Sequence, residues 1–112
     1  METKIEDHIT GTYWYGMSMR IDEIVENSLE PIDLTGCKIV AEFRASKSKC
    51  PDFIYSTEDE TILMPLPLTG TFNFKPGIIN HKPNLYYFRV TVTQPDGVIV
   101  DAIASGTWTI KE

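Results

Sequence analysis

Between Leu85 and Thr93 the chain alternates without a break. Tyr86, Phe88, Val90 and Val92 fall on one side, and Leu85, Tyr87, Arg89, Thr91 and Thr93 on the other. A period of two over this length fits an extended strand with one buried face and does not line one face of a helix. Cys37 to Arg44 repeats the pattern, with Cys37, Ile39, Ala41 and Phe43 opposed to Lys38, Val40, Glu42 and Arg44. Composition points the same way, because 31 residues are β-branched against four alanines, a ratio that suits pleated, half-buried surfaces. Hydrophobic residues make up 42% and charged residues 23%, which excludes a disordered, collagenous or coiled-coil chain. At 112 residues there is room for one core, so residues 1–112 read as a single domain with residues 1–10 as a candidate N-terminal arm.

The remaining segments are shorter. Thr12 to Ile21 reads as a strand that puts Tyr13, Tyr15, Met17, Met19 and Ile21 inward and Trp14, Gly16, Ser18 and Arg20 outward. Asp22 to Pro31 is acidic and broken by Asn27, Ser28 and Pro31, so it reads as a connection with one helical turn around Glu23 to Glu26. Ile32 to Gly36 is a turn feeding the next strand, and Ala45 to Asp52 is a polar surface loop. Phe53 to Tyr55 and Ile62 to Met64 are expected to pair as a hairpin around the charged tip Ser56 to Glu60. Gly70 to Lys75 points Phe72 and Phe74 inward, and Ile78 to Asn84 is a connection that folds back onto the core. Gln94 to Gly97 is a tight turn, after which Val98 to Ala104 returns antiparallel and Gly106 to Ile110 buries Trp108 and Ile110. Seven to eight short strands without an amphipathic helix predict an all-β fold. The expected form is an antiparallel β-sandwich, immunoglobulin-like or jelly-roll-like, with a small barrel as the alternative.

Charge and motifs exclude most chemistry. A net charge of −6 repels a nucleic-acid backbone and an anionic membrane surface. No apolar run approaches the roughly 18 residues of a membrane span, and the opening METKIEDH lacks a signal-peptide pattern, so a soluble product of the cytoplasm is expected. Cys37 and Cys50 are too few for a disulfide scaffold or a four-cysteine zinc site. His8 and His81 stand apart from other ligand types, so no metal or cofactor is expected. The acidic runs Asp22-Glu23 and Glu58-Asp59-Glu60 lack the spacing of a calcium loop and read as solvated faces. Neither a nucleophile elbow nor a phosphate-binding glycine loop is present, and the chain reads as non-enzymatic. Lys47 and Lys49 beside Cys50 are the kind of neighbours that activate a thiol, although an inert exposed thiol is the simpler reading. Trp14 and Tyr87, each opposite its strand's apolar set, have three readings: burial beneath a loop or the second sheet, a protein interface, or a sugar-stacking platform.

Several short signals in order carry a resemblance. They are Gly11-Thr-x-Trp14, Pro31-Ile-Asp-Leu-Thr-Gly36 leading into Cys37-Lys-Ile-Val-Ala-Glu-Phe-Arg44, Tyr86-Tyr-Phe-Arg-Val-Thr-Val92, Pro95-Asp-Gly97 and Ser105-Gly-Thr-Trp-Thr-Ile110. From Ile9 to Ile110 the chain is similar to the small β-sandwich domains of tailed-phage virions, above all the N-terminal domain of baseplate upper proteins and related short prophage-encoded proteins. Those baseplate proteins continue into long fibrous regions, whereas this sequence stops two residues after Ile110, which also resembles a stand-alone capsid decoration or stapling protein. The resemblance implies a non-enzymatic virion structural role, made in the host bacterial cytoplasm, with no catalytic residues to carry over. The implied partners are further copies of the chain and a phage capsid, tail or baseplate protein. The alternative is a carbohydrate-binding module that uses exposed aromatics.

Overall fold

A computed structural model describes residues 2–45 and 50–112, so the polar loop expected over Ala45 to Asp52 lies in part outside the described residues. The fold is all-β, a sandwich of short strands. In chain order the strands are β1 (Glu2–Ile9), β2 (Tyr13–Trp14), β3 (Met17–Arg20), β4 (Asp22–Val25), β5 (Ser28–Pro31), β6 (Lys38–Ala45), β7 (Phe53–Ser56), β8 (Ile62–Leu63), β9 (Thr71–Phe74), β10 (Gly77–Ile78), β11 (Asn84–Thr93) and β12 (Ile99–Lys111). Five of them form the main sheet in the order β1-β12-β11-β6-β7. The second layer is the sheet β3-β9-β8 together with the ribbon β10-β2, while β4 and β5 make a separate hairpin.

The alternation in β11 and β6 is borne out. Tyr86, Phe88, Val90 and Val92 are buried on the same face as Ile39, Ala41 and Phe43, the partners in register being Phe88 with Phe43 and Val92 with Ile39. Phe72 and Phe74 of β9 reach the main sheet from the other layer, with Phe74 6.2 Å from both Phe43 and Phe88 between ring centroids. Trp108 is fully buried at the junction, 4.6 Å from Trp14 and 5.8 Å from Phe43. Its indole Nε1 donates to His8 Nδ1 at 2.9 Å, so the polar atom of the largest core side chain is satisfied.

Five expectations need correction. The first concerns Thr12 to Ile21, which is two strands, with Trp14 buried at 6% exposure and Tyr13 and Tyr15 turned outward at 56% and 82%. Gly16, at φ 90°, resets the alternation, so that Trp14 before it and Met19 after it both point inward although their positions differ in parity. The backbone of Phe74 crosses so close that a Cβ on Gly16 would stand 1.6 Å from the Phe74 carbonyl oxygen.

The second is Asp22 to Pro31. Instead of a helical connection it is the hairpin β4–β5, whose turn places Glu26 and Asn27 at φ 49° and 66°, the two positive values of a mirror-image turn that matches strand twist. Third, the runs at Phe53 and Ile62 do not pair with each other: β7 joins β6 and β8 joins β9, so they belong to different layers. Fourth, residues 1–10 hold no free arm among the described residues, because β1 docks parallel to β12 and buries Ile5. Gly106 permits this approach, since a Cβ there would fall 1.8 Å from the Thr3 carbonyl oxygen. Fifth, the two strands expected over Val98 to Ala104 and Gly106 to Ile110 run on as one, β12, while β1, the β4–β5 hairpin and the two-residue pieces raise the strand number above the seven or eight expected.

Replacing Gly16 by Ala should therefore cost at least ~2 kcal/mol, from the steric conflict with Phe74 and the strained φ together. Urea unfolding measures it, and a loss below about 0.5 kcal/mol would mean that the kink can be made without glycine.

Candidate interaction surface

The kink at Gly16 builds the most exposed aromatic group of the molecule. Tyr13 and Tyr15 flank the buried Trp14, and their rings meet edge to face, 4.7 Å apart at 61°. Tyr13 pairs in register with Ile78 of β10, which is half-exposed, so Ile78 shares the outer face of the ribbon with Tyr13. The ribbon is fixed to the core by Ile79, whose amide donates to the Thr12 carbonyl at 2.9 Å and whose carbonyl accepts from the Gly11 amide at 2.8 Å. Two tyrosines and an isoleucine thus stand in water on a rigid ribbon.

The two site residues expected from sequence part company. Trp14, on the inner side of the ribbon, packs against Trp108 and Phe74 and is 6% exposed. Tyr87 is 49% exposed on the outer face of the main sheet, between Arg44 of β6 and Thr107 of β12 in register. Its surroundings are polar: Arg44 donates to Glu42 Oε2 at 3.0 Å, and Arg89 lies opposite Glu42. The structure does not bring Trp14 and Tyr87 together, because the first faces the core and the second faces away from it. Sequence reasoning placed Tyr13 and Tyr15 inside, and the signal that could have exposed them was Gly16, a residue that readily ends an alternating run.

At the far edge of the main sheet His81 closes a second polar group. Its ring stacks on Phe53 with centroids 3.5 Å apart and shares a 2.7 Å hydrogen bond between Nε2 and the Tyr55 hydroxyl. The Tyr86 hydroxyl donates to the Lys82 carbonyl at 2.6 Å. His81, Phe53, Tyr86, Lys82 and Asp52 border an open cleft of about 340 Å³. Burial lowers the His81 pKa below its ordinary 6.5 and raises that of Tyr55, so both are held neutral. The pair shares this hydrogen bond beside a cleft that Asp52 and Lys82 also line.

Two further features are structural. Asp33 caps its turn by accepting from the Thr35 amide at 2.9 Å, and the hydrogen bonds from the Thr35 side chain and backbone lower its pKa. Burial raises the Cys37 pKa, with Asp33 and Asp96 adding to it, so Cys37 stays a thiol and packs as a core residue. Cys50 is exposed, and Lys47 and Lys49, on which its activation depended, lie outside the described residues. Among the described residues no three His, Cys, Asp or Glu side chains converge as metal ligands. No described helix is long and apolar enough to cross a membrane.

No protein-family model matches this chain, and neither curated proteins nor solved structures match it.

The His81 environment has a consequence for stability. The unfolded imidazole takes up a proton near pH 6.5 and the folded one only at lower pH. The stability tied to His81 is therefore complete above about 6.5 and is lost as the pH falls through the folded value. Urea midpoints between pH 7.5 and 5.5 should fall less for His81→Phe than for the wild type; an equal fall would place the titration elsewhere.

Proposed function

We propose that this chain is a non-enzymatic assembly protein that acts by burying surface against other protein chains. Following the resemblance of its motifs to tailed-phage domains, the assembly is a virion, in which the chain is a capsid decoration or stapling protein or a tail or baseplate component. The observation that carries this reading is the patch of Tyr13, Tyr15 and Ile78 on the β2–β10 ribbon. Tyrosine combines a large apolar ring with a hydroxyl and only two side-chain torsions. It therefore gains contact area at low entropic cost, and rings left in water on a rigid support suit a partner surface better than they suit solvent. The main sheet supports the same role, because Trp14 of the ribbon packs on Trp108 of β12 and Ile79 beside it is fully buried.

The carbohydrate reading is the weaker one. Stacking on a sugar ring needs an exposed, flat aromatic face, whereas Trp14 is buried and the Tyr13 and Tyr15 rings are tilted against each other. Tyr87 alone remains for it, amid charged neighbours.

The test is to purify particles from cells that produce the encoding phage and to count copies of the chain by quantitative mass spectrometry. The wild-type chain should be present in many copies per particle, and the double variant Tyr13→Ser with Tyr15→Ser should drop by about tenfold or more. Its unfolding free energy should stay within about 0.5 kcal/mol, since both rings are outside the core. Absence of the wild-type chain from particles would overturn the virion assignment. Full incorporation of the double variant would remove the tyrosine patch from the interface.

A further inference from the structure

The main sheet has two edges, and they are finished differently. At β7 the chain closes its own edge. The Ser56 amide donates to Thr61 Oγ1 at 2.9 Å and to Asp59 Oδ1 at 3.3 Å, and His81 covers Phe53. At β1, among the described residues, the only strand partner is β12. Between β1 and the second layer lies a cleft of about 250 Å³, lined by Lys4, Ile5 and Glu6 of β1 and by Trp14 and Met17. An open strand edge is a template for another strand, and soluble proteins block such edges or use them.

The sequence along this edge is self-complementary. Ile5 is buried, and Lys4 and Glu6 on either side of it are exposed. Among the described residues neither Lys4 nor Glu6 has an ion-pair partner within the chain. We propose that two copies of the chain associate through β1, antiparallel about a two-fold axis at Ile5, so that Lys4 of each copy faces Glu6 of the other. This rests on the assembly reading above and names one of its contacts. A two-fold contact requires that a surface complement itself, and two opposite-charge pairs related by the axis satisfy that requirement.

Charge also selects the register. Moving the axis to Lys4 would set Lys4 against Lys4, and moving it to Glu6 would set Glu6 against Glu6. Each alternative opposes like charges across the strands, which is destabilising. A lysine on an edge strand ordinarily wards off pairing, and here it is met by Glu6. The register shift between Ile5 and His8 confines regular pairing to the first half of β1, so the contact is short and the dimer weak and salt-sensitive.

Sedimentation equilibrium of the whole chain at low salt tests this, using the wild type, Lys4→Glu, Glu6→Lys and an equimolar mixture of the two variants. The wild type should dimerise, and each variant alone should show a dissociation constant raised by about tenfold or more, because each opposes like charges at both symmetric positions. The mixture should dimerise again, since one variant carries two acidic residues at these positions and the other two basic ones. Circular dichroism should find both variants folded, as both positions are exposed. A variant that does not fold transfers the test to the wild type, whose dimer should weaken as salt rises to about 0.5 M. A wild type that stays monomeric to about 1 mM overturns the proposal, as does a dimer indifferent to both reversals or to salt, or a mixture no tighter than its components. Those results leave the assembly reading to be judged by particle incorporation, which depends on Tyr13 and Tyr15.

Discussion

The packing of Trp108 is the constraint on which the other elements depend. It sits on β12, the strand that β1 and β11 both flank, and its ring lies within 6.4 Å of Trp14, Phe43, Phe53, Tyr55 and both histidines. These residues come from five separate stretches of chain, β1, β2, β6, β7 and the loop before β11. One side chain therefore ties the edge strand β1, the ribbon, the main sheet and the loop carrying His81 to a common point. Removing a large buried aromatic typically costs ~3–5 kcal/mol, a sizeable part of the 5–15 kcal/mol that holds a domain of this size together. The indole nitrogen would carry a desolvation penalty if left alone, and His8 meets it, which explains why a histidine stands in an otherwise apolar neighbourhood.

The exposed features follow from that arrangement. With Trp14 drawn inward against Trp108, strand geometry turns its neighbours Tyr13 and Tyr15 the other way. The tyrosine patch is thus the outer consequence of an inner contact, and Gly16 returns the chain to its core alternation immediately afterwards. The free edge at β1 has the same origin: Ile5 fastens β1 to the core, while the fold places no strand beyond it among the described residues. The His81 group at the opposite edge is closed on itself through Phe53 and Tyr55.

Legibility in the sequence tracked the length of each alternating run. β6 and β11 were readable in strand type and buried face, because eight to ten residues of period two fix which side chains point inward. Phe72, Phe74, Trp108, Ile110 and Cys37 were placed inside on the same logic, and all are buried. The hairpin β4–β5 was hidden because its turn uses Glu26 and Asn27 at positive φ instead of a glycine, and because its strands carry acidic residues that resemble a loop. The pairing of β7 and β8 was misread because two short apolar runs close in sequence look like a hairpin, while each gains more by joining a longer strand in a different layer.

By itself the sequence determined the all-β class, the two long strands and most of the core, since period-two alternation and β-branched residues act locally and need no knowledge of the rest of the chain. It also determined the acidic surface, which is a matter of counting charges. Only the tertiary structure decided which aromatics face water, because Trp14 and its neighbours trade places on the strength of one contact with Trp108, 94 positions further along the chain. It likewise decided that the first residues form an edge strand and which edge stays open, because those outcomes depend on pairings between distant segments whose energies no local pattern records.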